Sequence, residues 1–238
     1  MSADATRGGS GTGDFEFAAL QHARNYRRAL LQEFAPHLKG EVLEVGAGIG
    51  QFSVEVVSLP GVRRLQAVEP DARFCETFRQ RLPGQALLCG TSADLPPGSA
   101  FDAIVSINVL EHIEEDALEL ARYAQLLRTA RGCLCLFVPA RPEIYAPLDR
   151  DFGHFRRYRK PELGTKLRQA GFEIVRLHYF NCVGYFAWWL DFCVLRRRAF
   201  DVASVRLFDR VIFPVVHALE SKIAHPPFGQ SLLAVARA

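Results

Sequence analysis

Between residues 44 and 50 the chain reads Glu-Val-Gly-Ala-Gly-Ile-Gly. The run follows a strand-like stretch at 42–46 and precedes a helical one. Glycines at such a junction let the backbone approach a ligand closely and leave bare N–H groups facing it. A nucleotide-type ligand is implied. The dinucleotide spacing would need a further glycine where Gln51 stands, so that class is disfavoured. Glu44 beside the turn would repel a pyrophosphate and suits a cationic ligand. Glu69, followed by Pro70 and Asp71, ends the second strand-like run, where a carboxylate can accept hydrogen bonds from both hydroxyls of a ribose.

Two histidines could handle protons. His112 follows a fourth apolar run, and His154 sits in Gly-His-Phe-Arg-Arg-Tyr at 153–158. Either could act as a base or take part in local packing. Arg156 and Arg157 could hold an anionic group on a substrate, with Tyr158 beside them, or form a solvated pair. The six cysteines include no Cys-x-x-Cys pair and sit mostly among apolar residues, so they read as buried, reduced thiols with no zinc site.

The elements that must position these groups alternate. Strand-like runs at 42–46, 65–69, 86–89, 103–107 and 133–138 are separated by helical stretches, including 51–59 and 114–128. A helix at 160–170 and strands at 172–179 and 231–236 follow. This rhythm predicts an α/β fold with a parallel sheet covered on both faces. Residues 1–14 are rich in Gly, Ser and Thr and are expected to be a disordered tail, with 15–238 forming one domain. An amphipathic helix is expected over 15–35. No signal-peptide pattern opens the chain, which points to the cytoplasm. With 29 basic against 26 acidic residues, net charge gives no footprint for nucleic-acid binding.

In ordered, adjacent motifs the chain resembles the class I S-adenosylmethionine-dependent methyltransferases over about residues 20–180. Val-Leu-Glu-Val-Gly-Ala-Gly-Ile-Gly at 42–50 looks like their first motif and Ala-Val-Glu-Pro-Asp at 67–71 their ribose acid. Residues 101–113, Phe-Asp-Ala-Ile-Val-Ser-Ile-Asn-Val-Leu-Glu-His-Ile, are similar to their fourth strand, and 126–134 to the turn before their fifth. The resemblance implies a Rossmann-like seven-stranded sheet of order 3-2-1-4-5-7-6 with strand seven antiparallel, S-adenosylmethionine as cofactor and S-adenosylhomocysteine as product. It implies that Gly46, Gly48 and Gly50 approach the cofactor, that Tyr26 reaches its methionine carboxylate, and that Asn108 lies under its methionine part. Thr91 and Ser92 stand where relatives have an adenine-contacting acid, leaving Asp94 or backbone atoms to replace it. Some quinone-pathway relatives bind a divalent metal with a Glu three residues before a Glu-His pair. Asn108 replaces that first Glu ahead of Glu111 and His112, so no metal is predicted.

The expected reaction is methyl transfer to a small-molecule acceptor, at a hydroxyl or carboxylate oxygen, with His154 or His112 as base. A catalytically silent binding protein is the alternative. Nucleic-acid acceptors are disfavoured because 108–111 read Asn-Val-Leu-Glu, without the Pro-Pro-aromatic motif of amino-directed enzymes. Residues 181–230 read as a helical insertion between strands six and seven. Its aromatic stretch and Arg196-Arg197-Arg198 resemble an interfacial helix end over 184–198, too short to span a bilayer. Packing on the sheet edge, contact with a second copy in a homodimer, and contact with a membrane carrying a lipid-linked or quinone-like acceptor all stay open.

Overall fold

A computed structural model describes residues 22–127, 132–220 and 226–238. The expected tail, residues 15–21 of the expected first helix and residues 128–131 lie outside them. The described residues open with α1 (Arg24–Phe34), then alternate β1 (Gly40–Val45), α2 (Ser53–Val56), β2 (Val62–Glu69), α3 (Ala72–Arg81), β3 (Ala86–Cys89), β4 (Ala103–Ile107), α4 (Asp116–Leu126) and β5 (Cys133–Pro139). α5 (Pro147–Asp151), α6 (Lys160–Gln169), β6 (Glu173–Phe180) and a final β7 (Ser231–Arg237) complete the sheet layer.

The sheet order is β3-β2-β1-β4-β5-β7-β6, as the sequence implies. Neighbours from β3 to β5 are parallel, and β7 runs antiparallel between β5 and β6. Side chains alternate across the sheet, as the period of two along a strand requires. Val42, Val105 and Phe137 bury on one face under Leu30 and Phe34 of α1. Leu43, Ile104 and Leu136 bury on the other under Leu120 and Tyr123 of α4 and Leu163 and Leu167 of α6. Apolar side chains cover both faces, so the central strands read as near-continuous hydrophobic runs. The helix expected over 51–59 is only one turn long, Ser53–Val56, with Phe52 and Val56 anchored in the core and Pro60-Gly61 following closely.

Between β6 and β7 a helical cap is built from α7 (Cys182–Trp188), α8 (Val202–Leu207) and α9 (Phe213–Glu220). Wider π-type turns at Trp189–Val194 and Phe208–Ile212 extend α7 and link α8 to α9. The cap is tied to α1 by buried Asp209. Its carboxylate accepts the N–H groups of Asn25 (3.1 Å) and Tyr26 (2.9 Å), and its backbone carbonyl accepts from the Asn25 side chain (2.9 Å). Those amides open α1 and have no intrahelical acceptor, and Ala23 supplies no side-chain cap, so an acid far along the chain does that work.

The cysteine expectation is corrected. Cys75 and Cys89 form a disulfide, with Cα atoms 6.1 Å apart. β3 pairs with β2 so that Cys89 lies opposite Glu69, and the first turn of α3 returns Cys75 over the same strand end. A tertiary pairing of this kind has no local sequence signature. Cys133, Cys135, Cys182 and Cys193 remain outside it.

Candidate functional site

Because β1, β2 and β4 are parallel, Gly46, Glu69 and Asn108 all emerge at one edge of the sheet, where the loops diverge. They line a cavity of about 410 Å³ together with Tyr26, Arg27, Glu44, Pro70 and His112. Gly46 has φ +71°, and a Cβ there would come within 2.3 Å of a Val109 methyl. Only glycine permits this turn. Gly48, at φ +53°, plays a different part from the expected one: its N–H donates to Glu69 Oε2 at 2.8 Å. Gly50, at φ +77°, faces Phe78 and Leu82 behind the turn, with a Cβ 2.9 Å from the Phe78 ring. Of the three glycines, Gly46 alone lines the cavity.

Glu69 is held on both oxygens, by Gly48 N–H and by Asp71 N–H at 2.9 Å. A carboxylate has about four lone-pair sites, so two remain for hydroxyl donors. Burial raises its pKa, against the pull of those two amides. Glu44 is more deeply enclosed; desolvation pushes it up to about 7, although Ser53 donates to it at 2.6 Å. Two buried acids in one cavity favour a cationic guest.

Other expected cofactor residues lie elsewhere. Thr91 caps the turn Ser92–Asp94, its N–H and hydroxyl both held by Asp94. Ser92 is buried and donates to Glu119 at 2.5 Å. Neither lines the cavity, and Asp94 is occupied by that cap. Tyr26 packs edge-on against Phe137 and Phe180, and its hydroxyl bonds with the side chains of Ser231 and Asn181, away from β1. Arg27, one residue on, is the cation of that wall, bonded to Glu55 at 3.3 Å and Gln51 at 3.4 Å. Asn108 adopts φ +52°, a conformation that asparagine tolerates better than most residues.

A second cavity of about 380 Å³ lies beneath the cap and shares Ala23, Tyr26, Asn108 and Phe152 with the first. Trp188, Phe192, Phe200 and Phe208 make its walls largely aromatic, and Glu111, His154 and Arg157 stand at its inner end. His112 and His154 meet edge to face, ring centroids 4.6 Å apart. Glu111, His112 and His154 offer ligand atoms within 4.8 Å of one another, a set that could bind a cation or move a proton.

Asp149 organises this corner and has no recognisable sequence signal. Fully buried, it accepts from His154 Nδ1 (2.9 Å), Arg157 Nε (2.9 Å) and Ala146 N–H (2.7 Å). Burial would raise its pKa, but the bond from His154 and the Arg157 charge outweigh that and hold the carboxyl below its usual range. His154 Nε2 is left buried without a hydrogen-bond partner. Desolvation, then the neighbouring His154, push His112 down to about 4. Arg157 also lies over the Trp188 ring at 4.3 Å.

Two expected substrate residues are corrected. Arg156 points to the outer surface, paired with Asp116 at 3.0 Å and with the Glu114 carbonyl at 2.7 Å. Tyr158 is core: its hydroxyl donates to Asp116 (2.9 Å) and to the Leu110 carbonyl (3.2 Å). Three consecutive residues thus face in different directions, and only Arg157 reaches the cavity.

Residues 42–130 match the family model described as a methyltransferase domain. A probable S-adenosylmethionine-dependent methyltransferase of Mycobacterium tuberculosis is 28% identical over 154 residues, 63% of this chain and 55% of that protein. The chain thus spans about half the length of that curated relative. A SAM-dependent methyltransferase structure from Archaeoglobus fulgidus superposes with TM-score 0.62 at 16% identity, covering 94% of this chain and 97% of that one. This is the class I methyltransferase fold. A structure from Mesorhizobium loti of the same description gives TM-score 0.60 at 16% identity, covering 91% and 98%. S-adenosylmethionine is the cofactor these matches support, and the paired acids and glycine-only turn of the first cavity suit its charge and shape.

Proposed function

We propose that this chain is an S-adenosylmethionine-dependent methyltransferase acting on an oxygen of a small, largely apolar acceptor. The observation that carries the reading is the shared wall between the two cavities, with His154 on the acceptor side, its Nδ1 held by Asp149 and its Nε2 without a hydrogen bond, 3.9 Å from the Glu111 carboxylate. When bound, S-adenosylmethionine supplies an electrophilic methyl group on a sulfonium and leaves as S-adenosylhomocysteine. Glu69 would take the ribose hydroxyls, Glu44 would balance positive charge, and Gly46 would admit the cofactor's close approach. The aromatic walls under the cap hold the acceptor and exclude water, which favours in-line attack by positioning.

His154 is the base. Asp149 fixes its ring through Nδ1, leaving the Nε2 lone pair to take the proton from the attacking hydroxyl. His112 lines the first cavity and not the second, so it walls the cofactor side. Arg157 bonds Asp149 through two nitrogens, each at 2.9 Å, and the Ala140 carbonyl, and so holds in place the carboxylate that orients His154.

Incubation with S-adenosylmethionine and a panel of phenols, hydroxylated quinones and apolar carboxylic acids should yield S-adenosylhomocysteine above the no-acceptor rate. The rate should survive chelation by EDTA. Firm cofactor binding with no turnover on any acceptor would return the silent binding protein; loss of turnover on chelation, restored by a divalent ion, would make Glu111, His112 and His154 a metal site in place of the base.

A further inference from the structure

α7 with its π extension and α9 pack together in the cap, and each carries exposed apolar side chains about four residues apart. On the first these are Phe186, Trp189, Leu190 and Val194, each 47–54% exposed; the second row runs from the end of α8 through the π-type turn into α9, as Leu207, Val211, Val215 and Leu219, each 56–61% exposed. The sheet core does not use them. Soluble surfaces rarely gather large side chains in this way without a partner.

Cations flank both rows. Arg196, Arg197 and Arg198 follow the first directly and are exposed. Arg206 and Arg210 stand within the second, and together with Arg24 they gather around His22. The acids of the segment are committed elsewhere: Asp209 is buried on the α1 amides, Asp201 caps α8 through Ser204, Glu220 accepts the N–H groups of Asn181 and Cys182, and Asp191 pairs with Arg197. Arg198 pairs with Asp151. An apolar face edged by excess arginine matches the interface of an anionic bilayer, with rings and aliphatics at the acyl boundary and guanidinium groups at phosphates. No helix among the described residues is long and apolar enough to cross a membrane, so the match is to lying on one.

The second cavity opens on this same face. Leu207 and Ile212 are exposed on it yet also line the cavity, as does Arg197. We propose that the cap docks on an anionic phospholipid bilayer and, resting on the methyltransferase reading above, takes an amphiphilic acceptor into the cavity directly from the lipid.

The test is cosedimentation of the full chain with vesicles of phosphatidylcholine alone and of phosphatidylcholine with phosphatidylglycerol. The protein should pellet with the anionic vesicles and be released by salt, and bromine-labelled lipid should quench Trp189. Leu190→Glu with Val215→Glu should abolish pelleting, and each of Arg206→Gln and Arg210→Gln should weaken it by roughly fivefold. S-adenosylmethionine binding by calorimetry should stay unchanged in all of these and shows that each variant is folded. Equal failure to pellet with both vesicle types overturns the docking proposal. So does dimerisation that buries this face and is lost in the same variants, because a second copy would then cover it. Failed pelleting with intact cofactor binding leaves the methyltransferase reading standing; pelleting without cofactor binding does the reverse.

Discussion

At the scale of single residues, the proposed chemistry rests on buried acids and one oriented histidine. Glu44 is held near 7 in the fold against an ordinary value near 4.5, so the fold favours its protonated form. Its contribution to stability is therefore present at low pH and is lost as pH rises through about 7. Cofactor binding has the opposite slope, because a cation selects the ionised carboxylate. Affinity for S-adenosylmethionine should rise about fivefold from pH 6 to 7, and Glu44→Gln should flatten that rise; calorimetry at the two pH values measures both. His154→Gln should lower kcat by roughly 100-fold or more, with cofactor affinity kept. Asp149→Asn should fall between that variant and the wild type, since it frees the ring without removing it. A larger loss from His112→Gln than from His154→Gln would reverse their roles. Glu44, Glu69 and His154 were legible as chemistry-bearing types at strand ends and in a distinctive loop. Asp149 was not, because an aspartate five residues before a histidine looks like any polar loop residue until the fold closes on it.

At the scale of elements, the seven strands were readable to within a few residues because apolar runs broken by Gly and Pro have few other solutions. The turn after β1 was readable as a ligand turn, but the work of each glycine was not. Gly46 yields to the cavity, Gly48 pins Glu69, and Gly50 makes room for α3. Gly46→Ala should therefore destabilise the fold by about 2–4 kcal/mol, combining left-handed backbone strain with the Val109 clash, and urea melts would read it. The Gly-His-Phe-Arg-Arg-Tyr segment misled for a related reason. An irregular loop has no fixed periodicity to say which side chains share a face, so Arg156 and Tyr158 could not be separated from Arg157.

Across the whole molecule, the unreadable features are those made by distant parts of the chain. Asp209 caps a helix more than 180 residues earlier, and Cys75 meets Cys89 across a strand pairing. The denatured, unreduced protein should accordingly titrate four thiols, rising to six after reduction. Six before reduction would remove the disulfide. The two cavities are likewise products of assembly, one from the sheet edge and one from the cap, and the proposed methyl transfer needs their junction. The most direct test of that assembly is equilibrium binding of S-adenosylmethionine beside NAD, on wild type and Glu69→Ala. Clear binding of the first, none of the second, and a loss of about tenfold or more in the variant are expected from two lost hydroxyl bonds to a charged group. Equal affinity for both ligands, or a Glu69→Ala protein that binds S-adenosylmethionine as tightly as the wild type, would contradict it.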